Sequence, residues 1–248
     1  MNVTLSPRQD NRLLSLDILR GITIAGMIMV NNPGSWTYAY APFKHAHWHG
    51  LTPTDLVFPF FMFIMGVSTF MSLRKFNFEP SKTAVWKIVR RTFLIFVIGL
   101  ALGWFGQLTR GLASGEPFGV AASHFDTLRI LGVLQRLALA YGFAALTAVL
   151  VKGKLLPWVV GILLLGYYLI LRFGKGFEMS EENIIAVVDK ALMGTSHMYK
   201  DTTPEGVRIA FEPEGLLSTL PSVAHVLIGF LSGKLIVENK DNHTRVEK

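Results

Sequence analysis

Thr52-Pro53-Thr54-Asp55-Leu56-Val57-Phe58-Pro59-Phe60-Phe61-Met62-Phe63-Ile64-Met65-Gly66-Val67-Ser68-Thr69-Phe70-Met71-Ser72-Leu73 decides the class of fold. After Asp55 it carries no charge until Arg74. A helix that crosses the hydrocarbon of a bilayer needs roughly 20 mostly apolar residues. Lipid offers the backbone no hydrogen-bond partner, so such a stretch must be helical. Five further runs share this character, roughly 14–31, 90–106, 128–151, 155–172 and 216–237. Hydrophobic residues make up 51% of the 248-residue chain and charged residues 17%, with a mean hydropathy of +0.42. The sequence therefore predicts an all-α polytopic transmembrane bundle of about six spanning helices, one membrane domain over 1–248 with the lipid bilayer as its main partner.

The net charge of +7 is distributed as a topology signal, not as a nucleic-acid surface. Arg8 and Arg12 precede the first run, and Arg74, Lys75, Lys82, Lys87, Arg90 and Arg91 crowd the second connection. Lys152 and Lys154 occupy the tight fourth turn, and Lys234, Lys240, Arg245 and Lys248 follow the sixth run. The first connection has only Lys44 and the third chiefly Arg110, while the fifth mixes bases with many acids. The positive-inside rule places both termini and the basic connections in the cytoplasm, as expected of a multi-pass protein of a cell inner membrane. The loops around 32–51, 107–127 and 173–215 then face outward. A cleaved signal peptide is disfavoured: Ala39-Tyr40-Ala41 lies far beyond the apolar run, whose start Asp17 and Arg20 interrupt. The absence of cysteine excludes a thiol nucleophile, disulfides and thiolate metal sites. Within 173–215, Glu181 to Met193 reads as a short amphipathic helix, and Gly194 to Gly215 as irregular chain.

Ionisable residues inside spans are costly and mark candidate function. Arg20 and Asn31 fall within about 20° of each other on the first helix, about 16 Å apart along its axis, and Asp17 within about 40° of Asn31. They form a polar stripe, unless Asp17 simply pairs with Arg20 and Asn31 caps the helix. The fourth run carries Arg129, Gln135 and Arg136, and Arg129, Gly132 and Arg136 share a face. Arg136 is expected near mid-membrane, meeting a ligand or cavity, or an acid such as Asp17 or Asp55.

The densest chemistry is the outward stretch Phe43-Lys44-His45-Ala46-His47-Trp48-His49-Gly50-Leu51-Thr52-Pro53-Thr54-Asp55. Thr52 or Thr54 can cap the helix that follows, with Pro53 in its first turn. Asp55 then sits where the helix dipole favours a carboxylate. An Asp beside a His fixes the imidazole tautomer and stabilises the imidazolium when it forms. Two other readings stand beside this one: zinc held by the alternating histidines, and plain aromatic-belt residues with Trp36 and Trp48.

The sequence resembles the membrane-embedded heparan-α-glucosaminide N-acetyltransferase family. The resemblance rests on Ser15-Leu16-Asp17-Ile18-Leu19-Arg20-Gly21, Met29-Val30-Asn31, Phe43 through Gly66, Gly132-Val133-Leu134-Gln135-Arg136 and Pro213-Glu214-Gly215-Leu216-Leu217-Ser218-Thr219. These stretches follow the family's order over nearly the whole chain. The resemblance implies acetyl transfer from cytoplasmic acetyl-CoA to the amine of an amino sugar on the opposite side. It maps the family's active-site histidine onto His45, its acid onto Asp55 and its membrane-edge asparagine onto Asn31. His45 would act as base or acetyl carrier, Asp55 would orient it, and Asn31 would donate to the developing oxyanion. Arg20, Arg90 and Arg91 would meet the CoA phosphates, with Gln135 and Arg136 along the passage of the pantetheine arm. His47 and His49 stand where relatives carry other residues, which argues against a three-histidine zinc site, and no metal is expected. Self-association is compatible with this reading.

Two departures accompany the resemblance. The family continues with further membrane helices where this chain ends at Lys248, so a C-terminally incomplete domain is expected. Glu212 stands where relatives tend to have Asp before the Pro-Glu-Gly motif. A sugar or amino-sugar transporter is the alternative, suggested by the intramembrane charges and by Pro59; no inverted repeat supports it.

Overall fold

A computed structural model describes residues 13–204 and 206–246, the side chains of 240–246 excepted. Arg8, Arg12 and Lys248, with the side chains of Lys240 and Arg245, lie outside the described residues. The helices are α1 (Leu14–Asn31), α2 (Pro53–Leu73), α3 (Lys82–Ala113), α4 (Phe118–Ala122), α5 (Val133–Leu150), α6 (Leu156–Phe173), α7 (Ile184–Met193) and α8 (Thr219–Val246). Six of them, α1, α2, α3, α5, α6 and α8, are long and apolar enough to cross a membrane. The protein is thus a polytopic helical membrane protein. Its even number of crossings returns the end of α8 to the side on which α1 begins.

α2 shows how local sequence sets an element. Thr52 is its N-cap, Pro53 opens the first turn, and the Asp55 carboxylate reaches back to the Thr52 N–H at 2.8 Å. That is the returning half of a capping box. Pro59 sits inside the helix; lacking an N–H, it leaves the Asp55 carbonyl without its helical donor.

Three spans depart clearly from the sequence expectation, and α8 does so by continuing to Val246, past the expected end at 237. α3 runs over Lys82–Ala113, far longer than 90–106, because the Ser81 side chain caps it by accepting from the Ala84 N–H at 3.2 Å. Lys82, Lys87, Arg90 and Arg91 therefore ride on the helix itself. At 1.5 Å per residue α3 outruns a hydrocarbon layer of about 30 Å, so its basic first turns reach the headgroups. α5 begins at Val133, not 128, with Gly132 extended at its N-cap (φ −150°, ψ −171°). Arg129 is consequently not on the helix, and the face it was expected to share with Gly132 and Arg136 does not exist. Arg136 lies in the first turn of α5, at its outer end and not at mid-membrane.

α8 packs against α2, α5 and α6, while α3 packs on α5 and α1 on α2. In α2, α5 and α8, 39%, 50% and 50% of the spanning window is buried, against 11% in α1, α3 and α6, so the first three form the centre. The α2–α8 crossing is a backbone contact. A Cβ on Gly66 would come within 2.8 Å of the Phe230 nitrogen and 2.9 Å of the Gly229 Cα, and one on Gly233 within 3.1 Å of the Val67 Cα. Between lipid-embedded helices small residues allow close dispersion contact where no hydrophobic drive exists. Met62, Phe70, Tyr141, Val223, Leu227 and Phe230 belong to the core cluster built around this crossing.

The segment 173–215, between α6 and α8, is more ordered than its composition suggests. Asn183 caps α7 by accepting from the Ile185 N–H at 2.9 Å, so the amphipathic helix starts at Ile184, not Glu181. The chain expected to be irregular contains an antiparallel hairpin, β1 (Lys200–Thr202) with β2 (Arg208–Ala210). Ile185, Ala186, Ile209 and Phe211 form its own small core. Arg129 clamps this segment: it donates to Glu212 and Glu214, and Glu212 also accepts from the Tyr199 N–H at 3.1 Å. Burial works against the Arg129 charge, but the two carboxylates outweigh it and hold its pKa above the ordinary value. Glu212 is 0% exposed, and stripping the partner from a buried charge costs about 3–5 kcal/mol. Arg129→Met is therefore expected to loosen 173–215, seen as faster limited proteolysis in that segment and a lower melting temperature.

Candidate active site

The loop between α1 and α2 delivers His45 to the head of α2. Its Nδ1 lies 2.6 Å from Asp55 Oδ1. An ionised carboxylate only accepts, so Nδ1 carries the proton and the lone pair of the neutral ring sits on Nε2. The second carboxylate oxygen is fully engaged, by the Thr52 N–H at 2.8 Å, the Thr52 hydroxyl at 2.9 Å and the Ala46 N–H at 3.3 Å. Thr52 Oγ1 is also 2.8 Å from the Lys44 carbonyl, and the Thr54 hydroxyl, in the first turn of α2, donates to the Pro42 carbonyl at 3.0 Å, so both threonines pin the loop. The His45 side chain is 70% exposed and that of Asp55 only 22%, an accessible base on a held acid.

His47 and His49 are exposed, and among the described residues no three His, Cys, Asp or Glu side chains converge as a metal site. Trp48 has partners within the protein. Its indole N–H donates to the Phe177 carbonyl at 2.7 Å and its ring meets Phe211 edge-on at 5.3 Å, tying the His45 loop to the 173–215 segment.

Below the His45–Asp55 pair lies a cavity of about 430 Å³, lined among others by Trp48, Met62, Arg136, Tyr167, Glu212 and His225. Met62 follows Asp55 by two turns on the same face of α2, roughly 10 Å deeper. Arg136 donates to the Pro213 carbonyl at 2.7 Å and to the Ser218 hydroxyl, while its Nε is buried without a partner. Neither Asp17 nor Asp55 is its partner: Asp17 lies at the opposite end of the bundle, and Asp55 is engaged by His45, Thr52 and Ala46. Tyr167, His225 and Glu212 were not singled out as ligands from sequence. A histidine in the apolar run of the last span was the available signal for His225, whereas Tyr167 reads as an ordinary aromatic.

The remaining candidates fall into two groups. Arg20 donates to Asp17 and to Ser68 of α2, each at 3.2 Å. Gly26 lies beside Val57. This antiparallel register brings Asn31, the exposed last residue of α1, to the level of the first turn of α2. Its amide makes no hydrogen bond to His45 or Asp55 among the described residues. Arg90 and Arg91 are exposed on the inner half of α3, Arg91 with its guanidinium 4.6 Å from the Tyr141 ring centroid. Gln135 is 4% exposed, packed against Gly99 of α3. Arg20, Arg90 and Arg91 thus belong to the basic end, and Gln135 and Arg136 to the opposite end.

Asp189 of α7 holds the loop that carries Ser218. Its Oδ1 accepts from the Leu216 N–H at 2.9 Å, and its Oδ2 is buried without a partner. Burial pushes its carboxyl up to about 6, with Glu212 adding to the rise and the Leu216 N–H and Arg136 opposing it. A raised folded-state pKa means stability present below the ordinary value of 3.8 and lost as pH rises through about 6. Proteolysis of 194–215 is accordingly expected to be slower at pH 5 than at pH 7.5, and Asp189→Asn to flatten that difference.

Fold and site together define a multi-pass helical membrane protein with a His–carboxylate pair at the end of the bundle opposite its basic end, and a mostly apolar cavity that also takes in Arg136, Tyr167, Glu212 and His225. The chain belongs to the family described as a domain of unknown function, DUF5009, whose model matches residues 12–218. It is similar to the heparan-alpha-glucosaminide N-acetyltransferases of Mus musculus and Homo sapiens, 28% identical to each over 93% and 92% of this chain. It spans 40% and 39% of the length of those two relatives. The resemblance read from the sequence stretches holds across the chain.

Proposed function

We propose that this chain carries a transmembrane acetyl-transfer centre, moving acetyl from cytoplasmic acetyl-CoA to the amine of an amino sugar on the outer side of the inner membrane. The observation that carries the reading is the 2.6 Å contact between His45 Nδ1 and Asp55 Oδ1, with Asp55 itself held by Thr52 and Ala46. The similarity to N-acetyltransferases supports it.

Acetyl-CoA, when bound, supplies the activated acetyl group. His45 Nε2 takes the proton of the attacking amine as its nitrogen bonds to the acetyl carbon; the thioester C–S bond then breaks, and Nε2 returns the proton to the departing CoA thiolate. In the carrier version Nε2 accepts the acetyl group first and the amine then displaces it. Asp55 keeps Nε2 unprotonated beforehand and stabilises the imidazolium afterwards. Asn31, level with this pair, is the candidate donor to the oxyanion. The unpartnered Nε–H of Arg136 suits an amide or thioester carbonyl entering the cavity from below. Arg90 and Arg91, exposed at the basic end, suit phosphates.

The test is transfer of label from acetyl-CoA to a glucosamine acceptor by the membrane-embedded chain. Uptake of the sugar without an acyl donor would replace this reading by transport.

A further inference from the structure

A second concavity lies away from the His45 site, on the lipid-facing side between α3 and α5. Gly99 meets Gln135, Thr92 meets Gly142 and Arg91 meets Tyr141. The two helices therefore run antiparallel, with the start of α3 level with the end of α5. Between Ile88 and Phe96 on α3 and Leu139 and Leu146 on α5 they leave a groove of about 270 Å³. Its walls are apolar; Thr92, its only hydroxyl, is spent on the Ile88 carbonyl at 3.0 Å. Val89, Phe93 and Phe143 are 44%, 64% and 54% exposed, so the groove opens toward the acyl chains.

The depth of the groove can be read from its neighbours. Trp86, 65% exposed, sits one turn before it on α3. Exposed tryptophans settle at the headgroup level. The groove thus begins just inside the hydrocarbon of the leaflet at the basic end. Lys82 lies one turn further out on α3, and Lys152 and Lys154 follow α5 at the same level. All three are exposed, and none pairs with an acid among the described residues. Basic pockets between spans on this side of a membrane suit lipid phosphate, and each cation near the surface adds to the attraction.

We propose that this groove is a binding site for an anionic phospholipid of the cytoplasmic leaflet, one acyl chain lying along Val89, Phe93 and Phe143 and the phosphate between Lys82, Lys152 and Lys154. A second copy of the chain is the poorer occupant. A two-fold contact through this face would set its lysines against their own copies. Donor phosphates belong instead with Arg90 and Arg91, which point off this face of α3: at 100° per residue both lie more than about 100° from its centre.

The full chain, purified in mild detergent and examined by native mass spectrometry, tests the site with phosphatidylglycerol and phosphatidylcholine of identical tails. The parent should retain phosphatidylglycerol about tenfold better or more. Lys82→Gln with Lys152→Gln and Lys154→Gln should bring the two lipids level. Val89→Trp, which fills the groove from its lipid side, should reduce retention of both. Equal retention of the two lipids by the parent overturns the proposal, as does unchanged retention by Val89→Trp. Displacement of the lipid by acetyl-CoA, or a lipid-free dimer that Val89→Trp dissociates, would give the groove to another occupant. None of these outcomes depends on acetyl transfer, so the acyltransferase reading stands or falls separately.

Discussion

His45→Ala is expected to lower acetyl transfer by about 10³-fold or more while leaving the bundle folded. General-base catalysis by a positioned imidazole contributes on the order of 10²–10⁴-fold, and loss of a carrier step costs more. The side chain is exposed and packs in no core, so its removal costs little stability. Asp55→Asn should be nearly as damaging to rate. An amide that donates a hydrogen bond to Nδ1 reverses the tautomer and takes the lone pair from Nε2, an effect on the order of 10⁴-fold in a related His–Asp arrangement. It would also weaken the α2 capping box, by about 1 kcal/mol. A circular dichroism melt separates the two effects: His45→Ala should melt as the parent does, and Asp55→Asn slightly lower. If His45→Ala transfers label at the parental rate, the proposed centre is wrong. Acid-labile label retained on the parent chain but absent from His45→Ala would identify the carrier route over the base route.

The second large effect concerns folding. Gly66→Leu should prevent α2 and α8 from meeting. Even a bare Cβ there would press on the Phe230 nitrogen and the Gly229 Cα, which are backbone atoms and cannot rotate away. Overpacking in a core that can adjust costs about 1–3 kcal/mol; here the helices themselves must separate, and the cluster of Met62, Phe70, Leu227 and Phe230 opens with them. Gly161→Leu on α6 is the control, because a Cβ at Gly161 meets nothing within 4 Å. Size-exclusion chromatography in detergent should show an aggregated or poorly recovered Gly66→Leu and a parental Gly161→Leu. Equal recovery of both would mean that the crossing is not close-packed.

The spans show what a sequence carries and where it blurs. Six apolar runs became six spanning helices because lipid permits nothing else for such runs. The ends moved where charge obscured them. α3 starts at Lys82 because a serine caps it there, and basic residues tolerated at the headgroups do not end a helix as a hydropathy scan suggests. α5 starts at Val133 because Gly132 is extended, and this one boundary took Arg129 off the helix and carried Arg136 from the expected midplane to the outer end.

At the site, the His45–Asp55 pair was legible because both residues lie within one short loop and a recognisable helix start. Local chemistry, the Thr52 cap with Pro53 and Asp55, dictates where the carboxylate sits, and only a nearby partner can use it. Trp48, Arg136, Tyr167, Glu212 and His225 come from segments far apart in the chain. What brings them to one cavity is the packing of α8 against α2, α5 and α6, closest at the glycine contacts between α2 and α8, and the clamp of Arg129 on Glu212 and Glu214. Sequence alone thus determined that the chain crosses a membrane six times, which end is basic, and that an acid-held histidine lies at the other end, since hydropathy, charge placement and capping act over a few neighbouring residues. The tertiary structure alone decided which polar groups share a cavity and which lysines share a groove, because those depend on helix register, set by contacts between residues that the sequence does not place side by side.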